Sequence, residues 1–458
     1  LLLFSIITYL VLTVVIGFWA SRRVKTSDDF MLAGRSLPLA LSSAALFATW
    51  FGSETVFGAS SEFLKGGLYG VIEDPFGAAL CLLLFGLFFA RKLYNMNLLT
   101  LGDFFKVKYG KKIELVASIF LALPYVGYIA AQLVAMGLIL NVVTGMVVWQ
   151  GVVISAFVVT LYTYVGGMWA ISITDFVQSI IIVVGLLVLA IVLAEKAGGV
   201  GVVIEGMPEE NFRFLPRANL KEVVSYIAAW CVLGLGSIPS QDVFQRAMSS
   251  GSARTAVWSS YLAAVLYLTV AMLPLFISLC IKHLYPQELF GDTQLALPQM
   301  VLRHTYLPIQ ILFFGSLLSA IMSTTSSAIL APAAIFSENL VKPLIGHKFS
   351  DKQFLVLTKV SVLIFSVLAT LMACMRSNIY ELVRESSVLS LVSLFVPLVL
   401  GLYWKKSSPA GAFLSMVLGM ITWIIFEVLG TEWPGLVPAT IASAIGMIIG
   451  SLTWPKKA

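Results

Sequence analysis

Apolar stretches without a charge recur along the whole chain, each close to the ~20 residues that a helix needs to cross ~30 Å of hydrocarbon. Read in windows, they predict thirteen helices. These are a leader at about 3–20, ten core spans at about 39–62, 70–90, 114–143, 147–165, 171–195, 223–245, 254–282, 305–335, 354–375 and 386–404, and two trailing spans at about 409–430 and 435–453. The longest polar interval, about 196–222, holds Gly198, Gly199, Pro208, Glu209, Glu210 and Pro216 and reads as a loop or short surface helix. The opening apolar run lacks a cleavage site and reads as a span. The chain is therefore expected to be an all-α integral membrane protein with a single transmembrane domain over residues 1–458.

Composition agrees: of 458 residues 59% are apolar and only 11% charged, with a mean hydropathy of +0.96. A soluble domain carries roughly a quarter charged residues, so soluble enzymes and nucleic-acid readers are excluded. The net charge of +6, from 29 Lys and Arg against 23 Asp and Glu, reads as topology. Nineteen of the basic residues fall in one set of alternate loops, among them Arg22, Arg91, Arg246, Lys348, Lys405, Lys456 and Lys457, and eight in the opposite set. Lys/Arg excess marks the cytoplasmic side, which puts the amino terminus outside and the carboxyl terminus inside a multi-pass cell-membrane protein. Cys81, Cys231, Cys280 and Cys374 sit in apolar runs without CxxC spacing, and His283, His304 and His347 are scattered. No disulfide framework, thiolate metal site or nucleotide-binding motif is indicated, so no catalytic residue and no organic cofactor is expected.

Two spans look interrupted. One carries Ala48-Thr49-Trp50-Phe51-Gly52-Ser53-Glu54-Thr55, a Gly-Ser step followed by a carboxylate; the other carries Gly234-Leu235-Gly236-Ser237-Ile238-Pro239-Ser240-Gln241-Asp242. They open two successive groups of five core spans, about 39–195 and 223–404, and paired interruptions at corresponding positions point to an inverted-repeat transporter. The bland alternative is a pair of ordinary kinks. The span 305–335 holds five consecutive hydroxyl residues, Ser323 to Ser327. With carbonyls freed at the first break they would offer a hard cation such as Na⁺ an oxygen cage, whereas the competing reading has each hydroxyl bonding the preceding turn. Asp175, near the start of the span 171–195, is the acidic partner, since a carboxylate within a span is a functional candidate.

The segments Gly166-Gly167-Met168-Trp169-Ala170 through Thr174-Asp175 and Gln178, Ala320–Ser327, and Thr100-Leu101-Gly102-Asp103-Phe104 with Tyr109-Gly110 resemble the sodium/solute symporter family, whose core has the five-plus-five inverted repeat of the leucine transporter. Ala48-Thr49-Trp50, Leu161–Gly167 and Gly236–Gln241 with Phe244-Gln245-Arg246 are most similar to its high-affinity choline transporter branch. The resemblance implies a sodium site from backbone oxygens of Ala48, Phe51 and Ala320 and hydroxyls of Ser323 and Thr324. It implies a second sodium, in members that have one, at Asp175, Ser326 and Ser327. Trp50 matches an aromatic wall of the choline site, while Ser240 stands where that branch has Trp and Tyr128 aligns with another Trp.

The expected function is sodium-coupled import of a small organic solute, an amine, quaternary ammonium or other cationic or zwitterionic compound such as choline. The acids Glu54, Glu73, Asp74 and Asp242 carry this expectation, because no Lys or Arg lies in the same helix segments and a bound cation would supply the missing charge. Trp50, Tyr69, Tyr125, Tyr128 and Trp230 offer cation–π faces. The expected solute site comprises Trp50, Glu54, Glu73, Asp74, Tyr128, Ser240 and Gln241. The partners expected are that solute, sodium and the lipid bilayer, with no nucleic acid. The rival solutes are a sugar, a neutral osmolyte or an amino acid; an anionic solute is disfavoured, as the span 114–143 offers Gln132 but no Arg. A membrane sensor module with the same fold, expected to run on beyond Lys457, is the rival of another class, and a channel the third.

Overall fold

The computed structural model describes residues 1–286, 293–345, 349–376 and 378–455. His347, Lys348, Lys456 and Lys457 of the sequence reading lie outside the described residues. The chain is helical; among the described residues the only strand-like pairing is a bridge between Leu37 and Ser250. In chain order the frame consists of α1 (Leu2–Ser21), α2 (Leu39–Trp50), α3 (Glu54–Asn95), α4 (Lys111–Thr144), α5 (Val148–Lys196), α6 (Leu220–Gly236), α7 (Gln241–Met248), α8 (Ala253–Leu284), α9 (Leu307–Ile345), α10 (Asp351–Met375), α11 (Ile379–Tyr403), α12 (Pro409–Val428) and α13 (Leu436–Thr453). Short helices at Ser27–Leu32, Leu101–Tyr109 and Thr293–His304 lie between them.

Ten of the described helices are long and apolar enough to cross a membrane, or eleven when α6 and α7, bent 46° apart, form one span. The expected thirteen is thus not the count that length and composition give. The end of the expected span 39–62 and the whole of 70–90 run together in α3, leaving α2 with 12 residues. The expected spans 147–165 and 171–195 run together in the 49 residues of α5. At 1.5 Å per residue a straight helix of that length would extend roughly 70 Å, more than twice the hydrocarbon thickness. The chain bends instead at Gly167, where φ is 52° and ψ −153°. A Cβ there would lie 2.5 Å from the Phe30 ring and 2.6 Å from the Phe30 carbonyl. The second glycine of the Gly-Gly motif thus lets the chain turn and lets Phe30 seat against it.

The polar sequences are wrapped by the rest. Every residue of α2 from Ser42 to Trp50 is buried, as is every residue of α9 from Ser316 to Ile335. A helix buried on all sides belongs to the interior of a bundle. α5 packs along α9, α1 and α4, and α2 is enclosed by α5, α8 and α9. Lipid-facing surface is supplied by α1, α10 and the hairpin of α12 and α13, the last two joined by Ser415 and Ser443 at 2.8 Å.

Gly167→Ala should be more damaging than Gly145→Ala, since both positions have positive φ but only Gly167 has no room for a methyl group. The backbone at Gly167 lies in a region essentially reserved for glycine, which alone costs another residue about 1–3 kcal/mol, and the displaced Phe30 adds to it. Thermal unfolding of the purified protein checks this: equal losses of Tm in the two variants would show that packing at Gly167 contributes nothing.

Candidate ion and solute site

The break between α2 and α3 rearranges the backbone hydrogen bonds of a single turn. Phe51 leaves helical geometry at φ −82° and ψ 79°, and the Gly52 amide donates to Trp50 O at 3.0 Å. In an uninterrupted helix that amide would serve Ala48 O. Ala48 O instead accepts from Thr324 Oγ1 at 3.0 Å, with Ser323 Oγ 3.3 Å away, both on α9. The Ser53 amide donates to Gln132 Oε1 of α4 at 2.9 Å, and Tyr267 OH of α8 reaches Trp50 O at 3.2 Å. Ala48 O, Trp50 O and the Ser53 amide thus have partners on neighbouring helices, as irregular backbone at membrane depth requires. Gly52 is needed for the approach: a Cβ there would lie 2.8 Å from Thr324 Oγ1, Gln132 Oε1 and Glu54 Oε2 alike.

The five hydroxyls of α9 divide. Thr325 Oγ1 donates to Ile321 O at 2.5 Å, and Ser326 Oγ and Ser327 Oγ both donate to Ser323 O at 2.9 Å. For these three the self-satisfied reading describes the geometry. Ser323 and Thr324 reach across to Ala48 O. The one Ser323 hydroxyl proton goes to the closer acceptor, Asp175 Oδ1 of α5, with Ala48 O alongside, so Ala48, Ser323, Thr324 and Asp175 share one buried oxygen cluster. Phe51 is buried beside it, and Ala320 lies one turn earlier on α9, also buried.

Asp175 differs from expectation in its charge partner. Arg246 of α7, read from the sequence as a loop cation, is fully buried with Nη2 3.7 Å from Asp175 Oδ2. The same Nη2 donates to Ser327 Oγ. The apolar-window reading missed this because it assigns basic residues at a span end to water, and α7 is the short, polar half of a broken helix.

On the other side of the break lies a cavity of about 50 Å³, walled by Trp50, Glu54, Tyr125, Tyr128, Tyr267, Asp242, Leu233, Val383 and a run of serines. Both broken helices contribute: Trp50 and Glu54 flank the first break, and Gly236, Ser237, Ser240 and Asp242 flank the second. Glu54 accepts from Tyr128 OH at 2.8 Å and from Gln132 Nε2 at 2.7 Å. Asp242 accepts from Tyr125 OH at 2.8 Å and from the Val243 amide at 2.9 Å, near the N-terminus of α7. Among the described residues no Lys or Arg comes within ion-pair distance of either acid, nor of Asp74.

Of the expected solute residues, Trp50, Glu54, Tyr128 and Ser240 line this cavity, and the others do not. Asp74 stands behind its wall, bound to Tyr267 OH at 2.6 Å and Thr55 Oγ1 at 3.0 Å. Glu73 pairs with Arg384 of α11 at 3.3 Å, so the expectation that it lacks a cationic partner is corrected. Gln241 turns away, accepting from the Leu101 amide at 2.8 Å. Tyr69 is also occupied: it stacks on Tyr226 with the Arg213 guanidinium 4.4 Å from its ring. Trp230 packs against Phe76 and Phe214. Sequence reasoning missed Tyr267 and the α11 serines Ser386, Ser387 and Ser390, which complete the wall. Their signal was a lone polar aromatic inside an apolar run, and small polar residues four apart on one helix face.

Comparison with known proteins fits this geometry. The model of the sodium:solute symporter family matches residues 30–419. The high affinity choline transporter 1 of Homo sapiens is 30% identical over 455 residues, covering 94% of this chain and 77% of that protein. The sodium/proline symporter of Escherichia coli is 27% identical, covering 98% of this chain and 93% of that one. In fold, the chain is similar to a solved Na⁺-coupled sialic acid symporter in a substrate-bound, outward-open state, with a TM-score of 0.89 at 18% identity over 100% of this chain and 98% of that one. With the family model spanning most of its length, a broken helix facing a row of hydroxyls and a carboxylate-lined cavity at the second break, the chain belongs to the sodium:solute symporter family.

Proposed function

We propose that this protein imports a small organic cation or zwitterion, an amine or quaternary ammonium, together with Na⁺, and that the ion sits where α2 and α9 meet. Ala48 O, Ser323 Oγ and Thr324 Oγ1 are the oxygens gathered there, with the carbonyls of Phe51 and Ala320 to complete the shell. The solute occupies the cavity between the two breaks. The single observation that carries this reading is the cavity's charge: Glu54 and Asp242 face the same space without a Lys or Arg partner, among aromatic walls formed by Trp50, Tyr125, Tyr128 and Tyr267. A carboxylate in a low-dielectric site is costly without a counter-charge, and a ligand cation beside aromatic faces gains cation–π attraction as well. The names of the choline transporter relatives point the same way.

The lysine and arginine distribution supports an outside amino terminus and an inside carboxyl terminus. Two five-helix repeats over about 39–195 and 223–404 would place the two breaks in equivalent positions. Ion and solute are then linked through one turn of chain. Sodium on Ala48 O holds the conformation at Phe51–Ser53 that also presents Trp50 and Glu54 to the cavity, so whichever ligand binds first favours the other.

A second reading, a polyhydroxy or neutral solute, draws on Ser237, Ser240, Ser386, Ser387 and Ser390 in the same wall. Ser240 is smaller than the Trp of the choline branch and leaves room for a bulkier or more polar ligand. Competition for a labelled or stabilising ligand decides between them. Choline, betaine, polyamines and basic amino acids should compete, sugars and carboxylates should not, and Glu54→Gln should weaken binding of the cation about tenfold or more, a loss of ~1.4 kcal/mol. Displacement by sugars alone, with Glu54→Gln keeping full affinity, removes the cationic reading.

Replacing Ser323 and Thr324 together with Ala should raise the Na⁺ concentration for half-maximal uptake by about thirtyfold, at ~1 kcal/mol for each lost oxygen contact. Both side chains are small and buried beside helix backbone, so the fold should persist. A Na⁺ titration of uptake in proteoliposomes measures this, and an unchanged midpoint would move the ion elsewhere.

A further inference from the structure

The carboxylate that the family resemblance assigns to a second sodium already has a cation beside it. Arg246 Nη2 lies 3.7 Å from Asp175 Oδ2, and neither side chain is exposed. The same guanidinium donates to Ser327 Oγ, so two of the three expected ligands of that sodium face Arg246. The third, Ser326, donates its hydroxyl to Ser323 O. The other ionisable groups nearby are committed elsewhere: Asp242 accepts from Tyr125, and Tyr162 OH donates to Met322 O at 2.7 Å.

A guanidinium stays protonated in proteins, so a buried one needs a carboxylate, and Asp175 is the carboxylate within reach. A sodium ion coordinated by Asp175 and Ser327 at the same time would put two cations against one carboxylate in a low-dielectric interior, where like charges repel strongly. Asp175 also touches the first site through Ser323, so an ion between Asp175 and Ser327 would be a third positive charge around that carboxylate. Nor is the contact the short, paired fork of a structural Arg–carboxylate bridge: Arg246 Nε and Nη1 and Asp175 Oδ2 make no hydrogen bond.

We propose that Arg246 is the resident cation of the second ion position, so that the chain supplies that charge itself and binds one sodium ion, at Ala48, Ser323 and Thr324. This inference rests on the sodium-symport reading above. It makes Arg246 a determinant of the ion-to-solute ratio, and a chain with a neutral residue at this position would need a second ion to neutralise the same aspartate.

The test counts sodium ions bound per molecule of purified protein with ²²Na⁺ and compares the Hill coefficient of Na⁺-dependent uptake. The wild type should bind one ion, with a Hill coefficient near 1. Arg246→Gln should bind two, as the uncompensated Asp175 recruits an ion, and its Hill coefficient should rise above 1. Arg246→Lys, and Arg246→Gln combined with Asp175→Asn, should each bind one. Two ions on the wild type, or one on a folded Arg246→Gln protein, would overturn the proposal. The wild-type count decides even where Arg246→Gln does not fold. Saturable sodium binding absent from the wild type would overturn the symport reading as well, whereas a count of two leaves symport standing and removes only the role of Arg246.

Discussion

A backbone turn that gives up its own hydrogen bonds inside a membrane must find them on its neighbours, and the rest of the site follows from how this chain does so at Phe51–Ser53. Once the Gly52 amide turns to Trp50 O, Ala48 O is free for Ser323 and Thr324, the Ser53 amide requires Gln132, and Trp50 O draws in Tyr267. Three neighbouring helices, α4, α8 and α9, are tied to one turn by these bonds. No lipid could substitute for any of them, so α2 has to lie in the middle of the bundle, where it is found.

The same turn separates two chemistries. On the α9 side the groups are neutral oxygens with the Asp175–Arg246 pair behind them, and their formal charge sums to zero. On the cavity side Glu54 and Asp242 have hydroxyl, amide and helix-terminal donors but no cation. Hydrogen bonds soften the cost of burying a carboxylate without removing its charge. On the proposed reading, the cavity has a deficit that a positively charged solute would remove, and Na⁺ would meet oxygens without displacing a net charge.

Much of this was legible in the sequence because it depends on residue types that are improbable in a membrane span: a Gly-Ser step before a carboxylate, a Gly-Ser-Ile-Pro stretch, five hydroxyls in a row. What the sequence left open depended on rotation and on distant partners. Which of the five hydroxyls leave their own helix is set by the face that α9 turns to α2, and the composition of the run does not contain that angle. Glu73 meets Arg384 and Asp175 meets Arg246 only because of how the helices are arranged. Arg246 reads from the sequence as a loop charge and Arg384 as a basic residue within a span, and neither position names its partner. Length and composition alone do not return the expected thirteen spans, for a related reason. Apolar windows register hydrophobic length, whereas the turn at Gly167 divides the 49 residues of α5 and the Phe51–Ser53 break shortens α2, neither changing hydropathy.

The position of Arg246 also bears on how the halves of the bundle communicate. It sits in α7, immediately beyond the second break, and four residues before it on the same short helix is Asp242, which faces the cavity. α7 therefore carries, one turn apart, a carboxylate that lines the cavity and a guanidinium that meets Asp175. A shift of α7 that brings Asp242 toward a bound cation must also change the distance between Arg246 and Asp175. A carboxylate that loses its guanidinium in a buried setting becomes far more attractive to any available cation. Coupling across the second break thus needs no extended pathway: it requires only that one turn of helix move as a unit, as the first break already links Ala48 to Glu54 through six residues.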